Sequence, residues 1–272
     1  MAYLEINNVD KIFGASGKPS QKVVALDGIS VTIEQGEIYA LLGPSGCGKS
    51  TILEIVAGFE RPTHGAVSFD GRPIIGPDPD RAMVFQQPNL FPWLTVIDNV
   101  MFGPRVQRRS DMKSTVKRAN YLLEICGLGG FERRYPYQLS GGMRQRVAIV
   151  RVLMNNPRVL LMDEPFGALD ALTRLTMQEL LLTIWSELKP TIIFVTHDVD
   201  EALFLADRVG VMSRRPGRMK HEVRVDIGRP RDVDVMIKPT FTALKSMLIH
   251  ELRNEAQELS ATQPYHTVIS TA

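Results

Sequence analysis

Apolar and polar residues alternate over residues 4–9 and again at Ile29, Val31 and Ile33, after which Glu34-Gln35-Gly36-Glu37 makes a turn. Period-two patterns of this kind predict strands with one buried face. Residues 38–42 form instead a continuous apolar run ending at a glycine, as in a strand covered on both faces. From residue 49 to 57 the period becomes helical, and residues 66–69 and 82–85 predict two further strands. Asp70-Gly71 and the prolines at 77 and 79 separate those two.

The pattern then changes character. Residues 88–139 read as helix and turn, with no convincing strand. Thr95 is placed to N-cap a short helix through residue 101. Residues 110–126 predict a longer amphipathic helix with Val116, Ala119, Leu122, Leu123 and Cys126 on its apolar face. Ser140 is placed to cap a helix running to residue 154, ended by Asn155-Asn156-Pro157. Apolar strands at 159–162 and 191–195 then alternate with helices at 172–188 and 198–206, which predicts a parallel sheet covered on both faces. Beyond Arg214 the signal weakens. Arg215-Pro216-Gly217 turns between strands at 209–212 and 222–225, and Phe241, Leu244, Leu248 and Leu252 mark one face of a last helix. The resulting division is a core of residues 1–87 and 140–225, a helical insert of 88–139, and a C-terminal helix and flexible tail over 226–272. No repeat or low-complexity block interrupts it.

Composition narrows the class. The 272 residues are 44% hydrophobic and 23% charged, ordinary for a soluble globular protein, and a net charge of +2 gives no ground for a nucleic-acid partner. Cys47 and Cys126 stand far apart without metal-ligand spacing, so neither a disulfide framework nor a zinc site is expected, and a reducing compartment fits best. The first residues lack the features of a secretory signal, and no apolar run approaches the roughly twenty residues that span a bilayer. Work at a membrane would need another protein as the anchor.

The candidate chemistry lies at the strand ends. Gly43-Pro44-Ser45-Gly46-Cys47-Gly48-Lys49-Ser50, followed by Thr51, fits the phosphate-binding loop template between a predicted strand and a predicted helix. Its glycines let backbone N–H groups approach phosphates, Lys49 supplies a point charge, Ser50 a hydroxyl for Mg2+, and the helix its positive end. Asp163 and Glu164 close an apolar strand, where one carboxylate can hold Mg2+ and the other can polarise a water. His197 follows the next apolar strand and emerges at the same sheet edge. Gln86 follows another; its amide can reach a metal or a water, and Gln87 competes for that role. Cys47, close to a helix N-terminus, is expected to favour thiolate and to react with thiol reagents.

The loop 43–50, Val84-Phe85-Gln86, LSGGMRQR at 139–146, LLMDEP at 160–165, GALD at 167–170 and THD at 196–198 occur in the order seen in ABC-type ATPases, and over about residues 3–225 the chain resembles that family. The resemblance implies an α/β P-loop nucleotide-binding domain with a mixed sheet core, an antiparallel β subdomain and an inserted helical subdomain. It further implies ATP and Mg2+ as ligands and a head-to-tail homodimer of nucleotide-binding subunits sandwiching two ATP molecules. Lys49 and the 43–51 loop would hold phosphates; Ser50, Asp163 and Gln86 would hold Mg2+ or sense the γ-phosphate. Glu164 would be the catalytic base and His197 the switch histidine. Ser140, Gly141 and Gly142, with Asp170 of the 168–170 D-loop, would serve the partner's ATP, and Phe13 would stack on adenine.

One phosphate-binding loop, one signature and no membrane segment resemble a stand-alone importer subunit working with transmembrane permease subunits and a separate solute-binding protein. Such a subunit would be peripheral on the cytoplasmic face of the inner membrane. The stretch from Gln86 through Pro92-Trp93 to Ile97-Asp98-Asn99-Val100 resembles subunits for nitrate, sulfonate or taurine, with an importer for a cyclic vitamin precursor as a neighbour of similar appearance. A non-transport ABC ATPase, of DNA repair or translation, is the alternative from another class. Phe91 and Trp93 are either a groove for a permease helix or core of the insert. Arg105, Arg108, Arg109, Lys113, Lys117 and Arg118 read as a solvated basic face before they read as a surface for anionic lipid.

Overall fold

The computed structural model describes residues 3–14, 22–108 and 110–262. Residues 15–21, just after Phe13 and Gly14, lie outside the described residues, as do Arg109 and the tail at 263–272. Strands β1 (Leu4–Phe13) and β2 (Val23–Ile33) pair antiparallel. Next, β3 (Ile38–Leu42) leads through the glycine loop into α1 (Lys49–Ala57). Strands β4 (His64–Phe69) and β5 (Arg72–Pro73) return to the first sheet, giving the antiparallel order β2-β1-β4-β5. The edge strand β6 (Arg81–Val84) precedes α2 (Val96–Val106), α3 (Met112–Ile125), a 3-10 turn at Pro136–Gln138 and α4 (Gly141–Leu153). Then come β7 (Val159–Asp163), α5 (Ala171–Leu188), β8 (Thr191–Thr196), α6 (Val199–Leu205), β9 (Arg208–Met212) and β10 (Met219–Arg224). A 3-10 turn at Val233–Ile237 and α7 (Pro239–Thr262) complete the described residues. The second sheet is mixed, ordered β10-β9-β3-β8-β7-β6, and only β10 runs against its neighbour.

This second sheet divides the apolar interior in two. Ile38, Ala40, Leu42, Leu160, Met162, Ile192 and Phe194 face one core with the helical insert and α4, α5 and α6. Tyr39, Leu41, Val159, Leu161, Ile193 and Val195 face the other, with α1 and the antiparallel sheet. Alternate side chains point to opposite faces of a strand, so burial on both faces produces the unbroken apolar runs of β3, β7 and β8.

The structure departs from the sequence expectations where local rules are overridden. In β1 the alternation expected over 4–9 holds only to Ile6: Asn7 and Asn8 are both exposed before Val9 is buried, because the register with β2 shifts between Ile6 and Val9 and again before Ile12, and each irregularity resets the side-chain period. α2 continues past residue 101 to Val106 although Pro104 has no amide to give; Met101 and Pro104 are buried, and that packing outweighs local propensity. α3 is capped by Asp111, which accepts from Ser114 N at 3.0 Å, rather than starting at Ser110. Val116 is not on its buried face: it is 41% exposed, while Thr115 is buried with its hydroxyl donating to the Asp111 carbonyl at 2.6 Å. The hydroxyl is satisfied within the helix, so the threonine can turn inward in place of the valine. β10 begins at Met219, ahead of the expected residue 222. Among the described residues, 88–139 carry no strand, and no helix is long and apolar enough to cross a membrane.

Candidate functional site

The loop between β3 and α1 is shaped by two left-handed glycines, Gly46 at φ 77° and Gly48 at φ 102°. At Gly48 a β-carbon would also lie 2.6 Å from Leu26 Cδ2 and 3.1 Å from the Ala25 carbonyl, so both conformation and space require glycine. Gly48 stands at the N-cap of α1 and no side chain caps that helix, so its first amides face the loop without a side-chain acceptor. Lys49, 4% exposed, donates from Nζ to the carbonyls of Gly43 at 2.7 Å and Pro44 at 2.9 Å. Ser45, Gly46 and Ser50 are exposed, and Pro44 and Thr51 half-buried.

Cys47 corrects the sequence reading. It is 1% exposed, and burial pushes its thiol above the usual range despite Lys49 Nζ at 3.9 Å. Desolvation disfavours the thiolate more than the nearby ammonium favours it. Gly217, which sequence analysis read only as a turn residue, forms the other wall: a β-carbon there would lie 2.1 Å from the Cys47 carbonyl.

Asp163, at the end of β7, accepts from Ser50 Oγ at 2.9 Å. Burial pushes its carboxyl up and the Ser50 hydroxyl draws it back down. Two hard oxygen donors side by side suit Mg2+, which takes few protein ligands and completes its shell with phosphate and water. Among the described residues no group of three or more His, Cys, Asp and Glu side chains could hold a metal alone.

Glu164 follows with φ 42°, its amide donating to the Val195 carbonyl at 3.1 Å. This left-handed turn swings its side chain toward β8, where Oε2 lies 3.3 Å from Nδ1 of His197. A β-carbon built on Gly167 would be 3.5 Å from Glu164 Oε2 and 3.6 Å from Gln86 Nε2. The amide that reaches this point is therefore that of Gln86, and Gly167 is the open floor between the two side chains. Sequence analysis gave Gly167 no role; its place in GALD was the available signal.

Ser140 caps α4, accepting from Met143 N at 3.2 Å. Ser140 and Gly141 are exposed, whereas Gly142 is buried, its β-carbon position 2.7 Å from Thr173 Cγ2 on α5. Asp170 caps α5 by accepting from Thr173 N at 3.0 Å, a bond that holds its carboxyl below the usual range. Among the described residues no hydrogen bond or ion pair joins residues 139–142 to 43–51. Phe13 ends β1 opposite Val23, on the stretch of β2 that runs beneath Gly48; Lys11 Nζ stands 4.8 Å over its ring.

On the helical insert Phe91 packs against Phe102 with centroids 4.5 Å apart and against Trp93 at 5.7 Å, both ring pairs tilted by 43°. Trp93 is 71% exposed, so it is surface rather than core of the insert. Two members of the basic cluster serve the fold: Arg105 pairs with Asp98 at 2.8 Å, and Arg118 donates to the Leu153 carbonyl and to Asn156 Oδ1.

Residues 26–167 match the family model described as ABC transporter. The chain is 45% identical over 263 residues to the taurine import ATP-binding protein TauB of Pelagibacter ubique, covering 95% of this chain and 98% of that one. It is 48% identical over 226 residues to the nitrate import ATP-binding protein NrtD of Synechocystis sp., 83% of each chain. Its structure superposes with TM-score 0.71 and 33% identity on the ATP-binding cassette MJ0796, solved as a dimer in a post-hydrolysis state with ADP and Pi, covering 83% of this chain and all of that one.

Proposed function

The chain belongs to the ABC transporter family as an ATP-hydrolysing importer subunit, and from that premise we propose that two copies close head to tail over two ATP molecules to drive a transmembrane permease. One observation carries the pairing: the 139–142 loop and the 43–51 loop grow from opposite cores with no bond between them, so the first is free to meet phosphate held by another copy.

In this reading the loop amides and Lys49 bind the phosphates, Lys49 exchanging its bonds to the Gly43 and Pro44 carbonyls for phosphate oxygens. Ser50 and Asp163 hold Mg2+ with Gln86, and the bound ion would neutralise charge on the phosphates. Glu164 takes the proton of the attacking water, and His197 beside it holds the γ-phosphate. Ser140, Gly141 and Gly142 of the partner copy exclude water from the far side, with Asp170 near the seam. Phe13 stacks on the adenine with the face that Lys11 leaves open.

The exposed Trp93, with Phe91 and Phe102, supplies aromatic anchors for a permease helix, so the helical insert passes on the opening and closing of the pair. The permease holds the subunit on the cytoplasmic face of the inner membrane, and a separate solute-binding protein delivers the solute. The solute class is that of the taurine and nitrate relatives, a small anion or zwitterion.

Glu164→Gln tests the core of this reading. It keeps ATP binding, abolishes turnover and accumulates an ATP-bound dimer on size-exclusion chromatography with light scattering. A variant that remains monomeric in saturating Mg-ATP refutes the sandwich. Growth on taurine or nitrate as sole sulfur or nitrogen source after deletion of the gene tests the solute class.

A further inference from the structure

The loop carrying His197 is pinned on both sides of the histidine. Thr196 Oγ1 donates to Glu201 Oε2 at 3.0 Å and accepts from Asp198 N at 3.0 Å. Asp198 Oδ1 caps α6, accepting from the amides of Asp200 and Glu201 at 2.8 and 3.2 Å. The other oxygen of Asp198 faces Arg174 Nη1 at 3.4 Å, and the same guanidinium donates from Nη2 to the Leu169 carbonyl at 3.1 Å. Leu169 lies in the short segment that ends in Asp170, the cap of α5. One side chain on the first turn of α5 thus bonds both the segment before that helix and the loop of the histidine.

The arrangement is costly as mere scaffolding. Arg174 Nε is buried with no hydrogen-bond partner, a desolvated donor that an apolar residue would not carry. What only arginine supplies is a rigid planar fork reaching two acceptors on different segments at once.

We propose that Arg174 is a positioning residue for ATP hydrolysis, relaying the place of the 168–170 segment to the loop that carries His197. The inference rests on the reading above, in which the 168–170 segment lies against a partner copy. Closure of the pair sets Leu169, Leu169 sets the guanidinium, and the guanidinium sets Asp198 next to His197. Hydrolysis is thereby tied to completed closure, while ATP binding by the 43–51 loop is left outside the relay.

The test is steady-state ATP hydrolysis by the full chain over a range of ATP concentrations, with binding of a fluorescent ATP analogue measured alongside. The variants are Arg174→Met, Arg174→Lys, Asp198→Asn, the Arg174→Met/Asp198→Asn double, and Glu164→Gln as reference. Asparagine keeps the helix cap and removes the charge. Arg174→Met is expected to lower kcat about ten- to hundredfold, the scale of a small misplacement of a reacting group. KM and analogue affinity stay within about twofold. Arg174→Lys, which reaches one acceptor, recovers part of the rate. The double variant is no slower than the slower single, because both substitutions cut one link. A wild-type kcat in Arg174→Met, a raised KM at unchanged kcat, or losses that multiply in the double overturns the proposal. If Arg174→Met does not fold, Arg174→Lys and Asp198→Asn decide on the same kcat-against-KM criterion. If Glu164→Gln turns over normally, the site reading falls and takes this inference with it; if Glu164→Gln is dead and Arg174→Met is normal, only the relay falls.

Discussion

The two glycine loops of this protein look alike as sequence and are opposite as objects. The 43–51 loop is a socket: left-handed glycines curl it inward, Lys49 is buried among its carbonyls, and α1 starts without a side-chain cap. The 139–142 loop is a finished surface: Ser140 has already capped α4, Gly141 faces open space, and Gly142 is packed on α5. A helix start left uncapped calls for a ligand from within its own loop; one that is capped and exposed offers its remaining amides to something approaching from outside. Two glycine-rich motifs in one chain are therefore not two copies of one device.

The strongest way to break this contrast is to disable each loop separately and mix the products. Lys49→Ala should lower ATP affinity on the order of a hundredfold, since it removes a charge-assisted contact. Ser140→Arg should leave affinity nearly intact and stop hydrolysis. At ATP concentrations too low to fill the weakened Lys49→Ala socket each variant alone is inactive, but a mixed pair contains one site with an intact socket and an intact opposing loop. Mixing equal amounts should restore up to about a quarter of the wild-type rate, because half the pairs are mixed and each has one whole site. No recovery would return both loops to the same chain's ATP.

A smaller effect separates the loops by stability. Gly48→Ala meets both a positive φ and the Leu26 side chain, and should cost about 1–3 kcal/mol in urea unfolding. Gly141→Ala adds a methyl where nothing lies within 4 Å, and should change stability by less than about 0.5 kcal/mol. Equal costs would mean that the second loop is as tightly built as the first.

The smallest effect concerns the thiols. With Cys47 buried and its thiol pushed up, and Cys126 pushed up to about 12 by burial, colorimetric titration at neutral pH should show both reacting far more slowly than after denaturation. Rapid labelling of Cys47 that ATP prevents would show that the socket opens further than its folded geometry.

Much of this was legible in the chain. α1 runs over the expected residues, and β3, β7 and β8 stand where continuous apolar runs put them, because burial on both faces leaves an unambiguous trace. Ser140 at its cap and the convergence of Asp163 and Ser50 follow from motif order and sheet topology. What was hidden depends on partners that no residue pattern specifies. The bulged register of β1 is set by β2, and the inward turn of Thr115 by a carbonyl four residues back. The neutral preference of Cys47 comes from packing around it, and no motif announces that Arg174 touches Leu169 and Asp198 together.

α5 has one more property of use. Its 18 residues make a rod of about 27 Å. At the catalytic end it is moored by Asp170 and Arg174, and near the other end the Trp185 indole donates to the Gly36 carbonyl at 2.8 Å, beyond the opposite edge of the sheet. A stiff member fixed at both ends behaves as a strut, not a hinge. The 168–170 segment is thereby tied to the frame of the sheet, so that a push delivered there would have to pass through the Arg174 contacts rather than be absorbed by a bend in α5.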